Sequence, residues 1–401
     1  MCHFRIQDIE RKWKLNFRVF ILAISVISVG LVELIVGGIL PTIAADLHVS
    51  IGQAGQLITV FALVYALSGP ILYTLTSNIE RKKLLLLTLG VFVLGNVITY
   101  VSPSFLFVMI ARVMTAMSTA LIIVLSLTIA AKIVQPQHRA KAIGLIYMGI
   151  SSSLVLGVPI GIIISDAFGW RMLFLFIGLM ALLSMILIAF TLDRIEVEQV
   201  QSLKSQLKAL RNKKMLTAHL TMLFLLAGHY TIYAYFTPFL ESELNLNTQW
   251  ISICYFIFGI AAVAGGAFGG SLADKFGSKV SIILVVASFA IILFVLPFST
   301  ASFPLFLVVM VIWAALSWSL APPLQNYIVE TDAKTAGIHQ SFNNSALQIG
   351  ISLGSLVGGV VNGATSSMQT TAHVGSILVI ISLAFAVWSL RSAVQKTVQN
   401  Q

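Results

Sequence analysis

This chain contains about twelve apolar runs, and nearly all of its basic residues lie in alternate connections between these runs or at the two ends of the chain. All but two of the 24 Lys and Arg residues fall in the N-terminal arm, in every second connection between runs, or in the tail. The exceptions are Arg112, inside a run, and Arg171, in one of the intervening connections. Membrane insertion retains loops rich in Lys and Arg in the cytoplasm, whereas a soluble fold has no reason to sort its charges in this way. The pattern therefore predicts a multi-pass protein of the cell membrane with both termini cytoplasmic.

The composition of the chain excludes most classes of soluble protein. Hydrophobic residues make up 58% of it and charged residues only 9%, whereas about 25% of the residues of a soluble domain are charged. The net charge of +10 is spread through the basic connections, where it would meet anionic lipid headgroups rather than nucleic acid. The two cysteines, Cys2 and Cys254, are too few for a disulfide framework or a metal cluster. We therefore expect a bilayer protein that binds no metal, no cofactor and no nucleic acid.

Each apolar run is long enough to cross a membrane as a helix, which takes about 20 residues. In the first half of the chain the runs are predicted at 17–40, 52–74, 84–101, 105–131, 140–165 and 172–191. In the second half they are predicted at 216–240, 250–271, 280–297, 303–327, 340–361 and 373–392. The predicted fold is an all-α membrane protein with twelve transmembrane helices in two six-helix bundles. Its parts are an N-terminal arm (1–16), the N-terminal bundle (17–191), a cytoplasmic linker (192–215), the C-terminal bundle (216–392) and a tail (393–401).

The two halves of the chain resemble each other at an offset of 197 residues, which places Leu75 on Leu272 and Pro41 on Pro238. These matches fall at equivalent places in the predicted topology. Parallel internal repeats are typical of transporters that work by alternating access around a central site. The repeat therefore predicts that the two bundles move relative to each other around a site between them.

Two ionisable side chains lie deep within apolar runs, Glu33 in the first and Arg112 in the fourth. Both stand about seven residues inside the outer end of a helix, roughly 10 Å below the boundary by the helical rise. At equal depth two opposite charges can neutralise each other, which predicts either a static ion pair or a switch in which protonation of Glu33 frees Arg112. A buried ion pair adds little net stability, which favours the switch. The 197-residue offset gives no equivalent pair in the second half, so proton coupling is predicted for the first half.

Polar and aromatic side chains cluster near the middle of several runs, which is unusual for helices that face lipid. Amides offer paired donors and acceptors and rings offer flat stacking surfaces, which together suit a planar, uncharged heteroaromatic ligand. For any one of these residues, hydrogen bonding between helices is the alternative. His229 could be a second group in proton coupling, a ligand contact or a polar residue satisfied within the protein. The predicted substrate-binding residues are Tyr65, Tyr230, Tyr233, Trp313, Asn343, Asn344 and Gln348.

One connection in the second half indicates the family that the chain resembles. The stretch from Gly270 to Lys279 resembles the cytoplasmic loop signature of the major facilitator superfamily, which implies the fold predicted above. In the equivalent connection of the first half, Ser77 stands where the family usually has Asp, and Tyr73 stands where it has Gly. The residues that match the signature in the second half are Gly270, Asp274, Lys275, Gly277 and Lys279.

Two of the predicted helices carry further signatures of the same superfamily. Arg112, with Ala116 and Ala120, resembles the signature of the fourth helix, with alanine where glycine is usual. The stretch from Gly157 to Gly161 resembles the antiporter signature of the fifth helix, which implies export in exchange for protons. The residues that carry this antiporter motif are Gly157, Pro159 and Gly161.

Three longer stretches resemble the purine efflux pumps of the bacterial drug:proton antiporter group. They run from Gly30 to Pro41, from Ala227 to Tyr230 and from Gln340 to Gln348. The resemblance covers nearly the whole chain from Phe17 onward. It implies proton-driven export of purine bases and nucleosides such as hypoxanthine, adenine, inosine and adenosine, and a monomer suffices for this fold.

Broad export of drugs or sugars by proton antiport is the main alternative, because close relatives of such pumps carry those compounds. Cationic drug pumps usually need an unpaired membrane acid, and the candidate partner Arg112 of Glu33 favours neutral substrates instead. A nutrient importer would lack the fifth-helix signature, and a membrane sensor would be expected to carry an appended soluble domain. The sequence has no phosphate-cradling motif, no metal-ligand spacing and no nucleophile elbow. We therefore expect neither an enzyme nor ATP-driven transport by this chain alone.

Overall fold

The structure is a computed structural model that describes residues 17–197, 208, 210–333 and 335–392. The predicted N-terminal arm, most of the predicted linker, Lys334 and the predicted tail lie outside these residues. Within them, twelve helices are long and apolar enough to cross a membrane, which confirms the predicted fold class. They are α1 Phe17–Gly38, α2 Ile51–Leu75, α3 Arg81–Val101, α4 Phe105–Lys132, α5 Pro136–Phe168, α6 Trp170–Thr191, α7 Lys213–Tyr233, α8 Thr248–Phe276, α9 Ser278–Ala301, α10 Phe303–Thr331, α11 Ala336–Thr365 and α12 Met368–Arg391.

The helix α5 changes geometry three times along its length. It begins with a 3₁₀ turn at Pro136–His138, continues as α-helix over Arg139–Ser152, passes through a π-helical turn at Ser153–Gly157 and ends as α-helix over Val158–Phe168. Pro159 is the second residue after the π turn, and proline cannot donate the hydrogen bond that a regular helix requires. π turns are rare and often occur at functional positions. The antiporter motif therefore lies at the most irregular point of the helix.

Two further helices depart from regular geometry. The helix α9 finishes in a 3₁₀ turn at Leu296–Ala301. The helix α10 consists of two segments, Phe303–Ser319 and Ala321–Thr331, that meet at Leu320. Two prolines follow Leu320 in the sequence, and missing backbone donors at such positions interrupt a helix.

The helices α1 and α7 end in the same way, which supports the internal repeat. One residue outside helix follows α1 and two follow α7, and in both cases a short helix comes next, Leu40–Asp46 after α1 and Phe236–Leu244 after α7. The residues at the two breaks have φ of −116° and −115°. Pro41 and Pro238, which the 197-residue offset aligns, lie in the first turns of these short helices, where a missing N–H group costs little.

Contact between the two halves is made mainly by α2 along α11 and by α5 against α8. Within the second half, α11 packs directly on the backbone of α7 because it carries glycines at the contact. A Cβ atom at Gly354 would lie only 2.3 Å from the carbonyl oxygen of Ala227. Such close approach is typical of small residues between transmembrane helices, and it fixes the position of the polar side chains on α11.

Successive helices joined by short connections run in opposite directions, so the described connections that carry Lys and Arg between α2 and α3, α4 and α5, and α8 and α9 lie at one end of the molecule, here called the basic side. The other end is called the opposite side, and there the two halves touch. Thr237 donates a hydrogen bond to the backbone oxygen of Gly38 at 3.0 Å, and a Cβ atom at Gly52 would lie 2.9 Å from the carbonyl oxygen of Gly359. On the basic side a cavity separates α2 and α4 from the start of α11 at Gly337.

Candidate transport site

The cavity on the basic side has a volume of about 250 Å³ and lies between α2, α4 and α11. Tyr65 and Asn344, two of the predicted substrate-binding residues, line it, and Tyr73 lies nearer its mouth. The serines Ser341 and Ser345 add hydroxyl groups on the α11 wall. The volume is close to the lower limit of the roughly 300–1,000 Å³ of small-molecule sites. The cavity thus offers a phenol, an amide and hydroxyl groups to a small polar ligand.

Glu33 is bound by a residue from the other half of the protein. Its Oε1 accepts a hydrogen bond from Nε2 of Gln348 at 2.7 Å, and Gln348 is only 3% exposed. Hydrogen bonds to a charged acceptor are roughly twice as strong as neutral ones. The structure therefore brings a predicted proton-coupling residue on α1 into direct contact with a predicted substrate-binding residue on α11.

Arg112 binds backbone oxygens rather than a carboxylate. It donates from one terminal nitrogen to the oxygen of Val32 at 2.8 Å and from Nε to the oxygen of Leu57 at 3.3 Å. Its guanidinium carbon lies 4.1 Å from the ring centroid of Phe61, a cation–π distance. Within residues 17–197, 208, 210–333 and 335–392, no carboxylate oxygen lies within 4.0 Å of the guanidinium nitrogens.

The predicted ion pair between Glu33 and Arg112 is therefore not formed in this structure. The equal depth that the sequence indicates brings the two charges near each other, and Arg112 reaches the backbone of the residue next to Glu33. Each group nevertheless finds its own hydrogen-bond partner, an amide for the carboxylate and carbonyl groups for the arginine. Since a buried polar group must be paired but need not be paired with its opposite charge, both arrangements satisfy the same requirement.

The antiporter motif packs on α1 around Glu33. A Cβ atom at Gly157 would lie 2.9 Å from Cδ1 of Leu31, and one at Gly161 would lie 2.7 Å from Cδ1 of Ile35. Leu31 and Ile35 stand two residues before and two residues after Glu33. The motif glycines therefore receive the side chains two residues before and after Glu33, and their small size determines how closely α5 approaches this segment of α1.

His229 and Trp313 lie in an aromatic cluster of the second half and not in the lining of the cavity. Nε1 of Trp313 donates to Nδ1 of His229 at 3.1 Å, and Trp313 is fully buried. The ring of Tyr233 stacks on His229 with centroids 4.9 Å apart, and Tyr230 meets the same ring edge-on at 5.1 Å. Only Tyr230 of this group is half-buried. Because Nδ1 of His229 accepts a hydrogen bond, the proton of the neutral ring resides on Nε2.

Asn343 adjoins a pair of buried histidines that the sequence did not single out. Nε2 of His219 lies 3.2 Å from Nδ1 of His339, and both side chains are buried, as is Asn343 itself. The two histidines stand on α7 and α11, and the 120 residues between them in the chain leave no local pattern that could have revealed the pair.

The loop motif of the second half joins α8 and α9 through a single residue outside helix. Gly277 occupies this position with φ +79°, a conformation that favours glycine. Asp274, Lys275 and Lys279 are exposed on the basic side. The connection is fastened to α10, because Ser278 donates to Oε1 of Glu330 at 3.0 Å.

In the first half, Glu80 fastens the equivalent connection, although Ser77 replaces the usual aspartate. Its carboxylate accepts from the backbone N–H groups of Lys82 and Lys83 at 2.9 Å and from that of Ile195 at 2.8 Å. Burial alone would raise the pKa of Glu80, but these three donors outweigh burial and lower the pKa below its ordinary value. The sequence signal that could have revealed this role is an acid directly before the first turn of α3, where it caps the helix.

Comparison with known proteins agrees with this architecture. Residues 22–355 match the family model described as Major Facilitator Superfamily. The chain is 35% identical over 369 residues to the uncharacterized MFS-type transporter YbcL of Bacillus subtilis (strain 168), an alignment that covers 92% of this chain and 95% of the relative. It is 27% identical over 380 residues to the inner membrane transport protein YdhP of Escherichia coli (strain K12), with 94% and 97% covered.

Two solved structures share the fold at low sequence identity. A bacterial homolog of the human lysosomal transporter Spinster, in an inward-facing and unoccupied conformation, superimposes with a TM-score of 0.77 at 17% identity, covering 94% of this chain and 98% of that one. The D-xylose-proton symporter superimposes with a TM-score of 0.76 at 17% identity, covering 93% and 96%. The chain therefore belongs to the Major Facilitator Superfamily and is a membrane transporter rather than an enzyme.

Proposed function

We propose that this transporter exports purine bases and nucleosides across the cell membrane in exchange for protons. The observation that carries the proposal is the hydrogen bond between Glu33 and Gln348, which joins a half-buried titratable carboxylate to the amide-bearing face of α11 across the two halves. A proton antiporter needs its proton site and its substrate site to influence each other. Direct contact between the two is the shortest way to achieve this.

The charge pattern and the cavity together support export as the direction of transport. If the basic side is cytoplasmic, as the Lys and Arg distribution indicates, the cavity faces the cytoplasm and the contact between Thr237 and Gly38 seals the outer side. An exporter must load substrate from the cytoplasm in this state. The antiporter motif on α5 supports the same direction, because it resembles a signature that implies export.

The proposed substrate contacts begin with Tyr65 and Asn344 in the cavity and continue to Gln348 further in. A phenol ring and two amides suit a flat heterocycle that carries both donors and acceptors. The cavity volume of about 250 Å³ favours a base or nucleoside over a bulky drug. Asn343 and the cluster of Tyr230, Tyr233 and Trp313 with His229 would take part after a movement of the second half, since none of them lines the cavity in this state.

Counterflow in proteoliposomes tests this proposal directly. Vesicles loaded with unlabelled hypoxanthine and diluted into labelled hypoxanthine should accumulate the label, and cells that express the chain should tolerate toxic purine analogues better than cells without it. A membrane-inserted Glu33→Gln variant serves as the control for coupling. Absence of counterflow with hypoxanthine, adenine, inosine and adenosine, together with unchanged analogue sensitivity, would remove the purine assignment. Counterflow with a sugar or a drug instead would establish the alternative substrate class.

A further inference from the structure

Gln348 has one end of its amide occupied and the other end free. Nε2 donates to Glu33, whereas Oε1 is buried and has no hydrogen-bond partner among the residues that the structure describes. A buried acceptor left unpaired is destabilising, so a missing partner is expected for it. Asn344, one helical turn earlier on the same face of α11, lines the cavity. The free oxygen therefore lies one turn beyond the place where a ligand enters.

The two protonation states of Glu33 favour opposite ends of this amide. An ionised carboxylate has acceptors only, so it binds the NH₂ group of Gln348, as the structure shows. A protonated carboxyl group has an O–H donor, which needs an acceptor and therefore attracts Oε1 instead. Rotation of the terminal amide by half a turn exchanges the two ends without moving the helix.

We propose that Gln348 transmits the protonation state of Glu33 to the substrate site by reversing its side-chain amide. The proposal rests on the proposed function and names the coupling step. With Glu33 ionised, Oε1 is presented to the substrate and accepts an N–H group of a purine. With Glu33 protonated, the NH₂ group takes that place and opposes the N–H group of the substrate. A substrate and a proton therefore exclude each other, which is the condition for antiport.

In this scheme Glu33 binds a proton from the opposite side and releases it on the basic side. The proton binds a carboxylate oxygen of Glu33 when the opposite side is open, and substrate leaves because Gln348 no longer offers an acceptor. On the basic side the carboxyl group returns the proton to water, Nε2 rejoins the carboxylate, and Oε1 accepts the next substrate. Ligands that lack an N–H donor are not recognised by this step, so the substrate class is a neutral heterocycle with an N–H group beside an acceptor, such as the edge of hypoxanthine or adenine.

Few other charged or titratable groups act on Glu33. Arg112 of α4, Tyr65 of α2 and Tyr230 of α7 interact with it electrostatically. The phenol of Tyr147 on α5 acts on Tyr65. The charged residues of α5 and α6, which also pack on α1, lie towards the ends of those helices: Arg139, Lys141, Asp166 and Arg171. A phenol hydroxyl donates and accepts at the same oxygen, whereas the amide of Gln348 carries its donor and its acceptor at opposite ends and exchanges them by rotation.

Equilibrium binding at several pH values tests the coupling. In the wild-type protein the affinity for labelled hypoxanthine should fall about tenfold per pH unit on the acid side of the Glu33 titration, because one proton is displaced per substrate. Gln348→Met, which keeps the length but removes the amide, should bind more weakly and lose this slope. Asn344→Ala, one turn away, should bind more weakly at every pH and keep the slope. A wild-type slope in Gln348→Met would overturn the proposal.

A second measurement needs no substrate and separates this inference from the purine assignment. Infrared difference spectra of the purified full chain between high and low pH should contain the C=O band of protonated Glu33, identified by its loss in Glu33→Gln. In Gln348→Met the carboxyl O–H group loses its acceptor, so the band should move to higher frequency. An unchanged band would overturn the amide switch even if purines bind. A shifted band without purine binding would support the reversal of the Gln348 amide and would refute the purine assignment.

Discussion

Arg112 donates a hydrogen bond to the backbone oxygen of Val32 at 2.8 Å, so its charge is held beside Glu33 without touching the carboxylate. The same side chain reaches Leu57 on α2 and covers the ring of Phe61. A charge inside the bilayer costs several kcal/mol unless it is paired. Here α1 and α2 supply carbonyl dipoles and a π face, and Arg112 braces the segment of α1 that carries the titratable group.

Replacing Arg112 should show that the brace depends on the shape of the guanidinium and not on its charge alone. Arg112→Lys keeps the charge, but a single ammonium group on a shorter stem cannot bond both Val32 and Leu57, whereas the arginine fork can. We expect at least a tenfold loss of transport in Arg112→Lys with normal membrane insertion, and a lower melting temperature in Arg112→Met because two carbonyl contacts are lost. Proteoliposome transport and thermal unfolding in detergent measure these effects. Full activity in Arg112→Lys would refute the bracing role.

Neutralising Glu33 should uncouple transport from the proton gradient. Glu33→Gln keeps the side-chain volume and can still bond Gln348, but it cannot release a proton. We expect it to exchange labelled for unlabelled substrate at a near-normal rate and to fail to build a gradient in everted vesicles energised with acid inside. Glu243→Gln, which neutralises an acid outside the twelve helices, is the matched control and should behave as wild type. Accumulation against a gradient by Glu33→Gln would disprove the coupling role.

The antiporter motif offers a matched pair of glycine substitutions on one helix. A Cβ atom at Gly161 would lie 2.7 Å from Cδ1 of Ile35, whereas one at Gly144 would have no atom within 4 Å. Overpacking costs typically about 1–3 kcal/mol, and at Gly161 it would displace the segment of α1 around Glu33. We expect Gly161→Ala to lower proton-driven export severalfold and Gly144→Ala to leave it unchanged. Equal effects in the two variants would show that α5 does not position Glu33.

Hydropathy and the distribution of basic residues predicted the helices of this fold well, because the length of an apolar run and the charge that follows it are local properties. The predicted run 105–131 became α4, Phe105–Lys132. The partner of Glu33 could not be predicted in the same way. Depth along a helix follows from residue number, but the direction of a side chain depends on how each helix is rotated against its neighbours. Gln348 reaches Glu33 across 315 residues of chain, and no local pattern encodes that pairing.

Glu80 also lay outside the sequence prediction, although its position before α3 is a helix-capping signal. The family signature directed attention to Ser77, and the backbone N–H of Ile195, which Glu80 binds, belongs to a segment with no apolar periodicity. Tyr73, the other departure from the signature, packs its ring under the guanidinium of Arg81 at 5.0 Å. Both departures from the family signature thus lie in the connection of the first half that other residues stabilise.

This fastening makes a prediction about pH and stability. The pKa of Glu80 is lowered in the folded protein because its backbone donors outweigh the effect of burial. A group with a lowered folded pKa stabilises the protein above its unfolded pKa and loses that contribution as the pH falls through its folded pKa. At neutral pH, Glu80→Gln should therefore lower the free energy of unfolding by about 1 kcal/mol, the usual value of a helix cap. That corresponds to roughly 1 °C in melting temperature for a chain of 401 residues, because the entropy of unfolding grows with chain length.

The difference in the free energy of unfolding between wild type and Glu80→Gln should stay constant from pH 8 down to about 4.3, the ordinary pKa of a glutamate. It should disappear below the folded pKa of Glu80, where both side chains are neutral. Thermal unfolding of the two proteins in detergent across this range measures it. Glu196→Gln, which changes an exposed acid of the same segment, should show no difference from wild type at any pH. A stability difference that persists in acid would mean that Glu80 acts through packing and not through its charge, because only the ionised carboxylate accepts all three backbone donors.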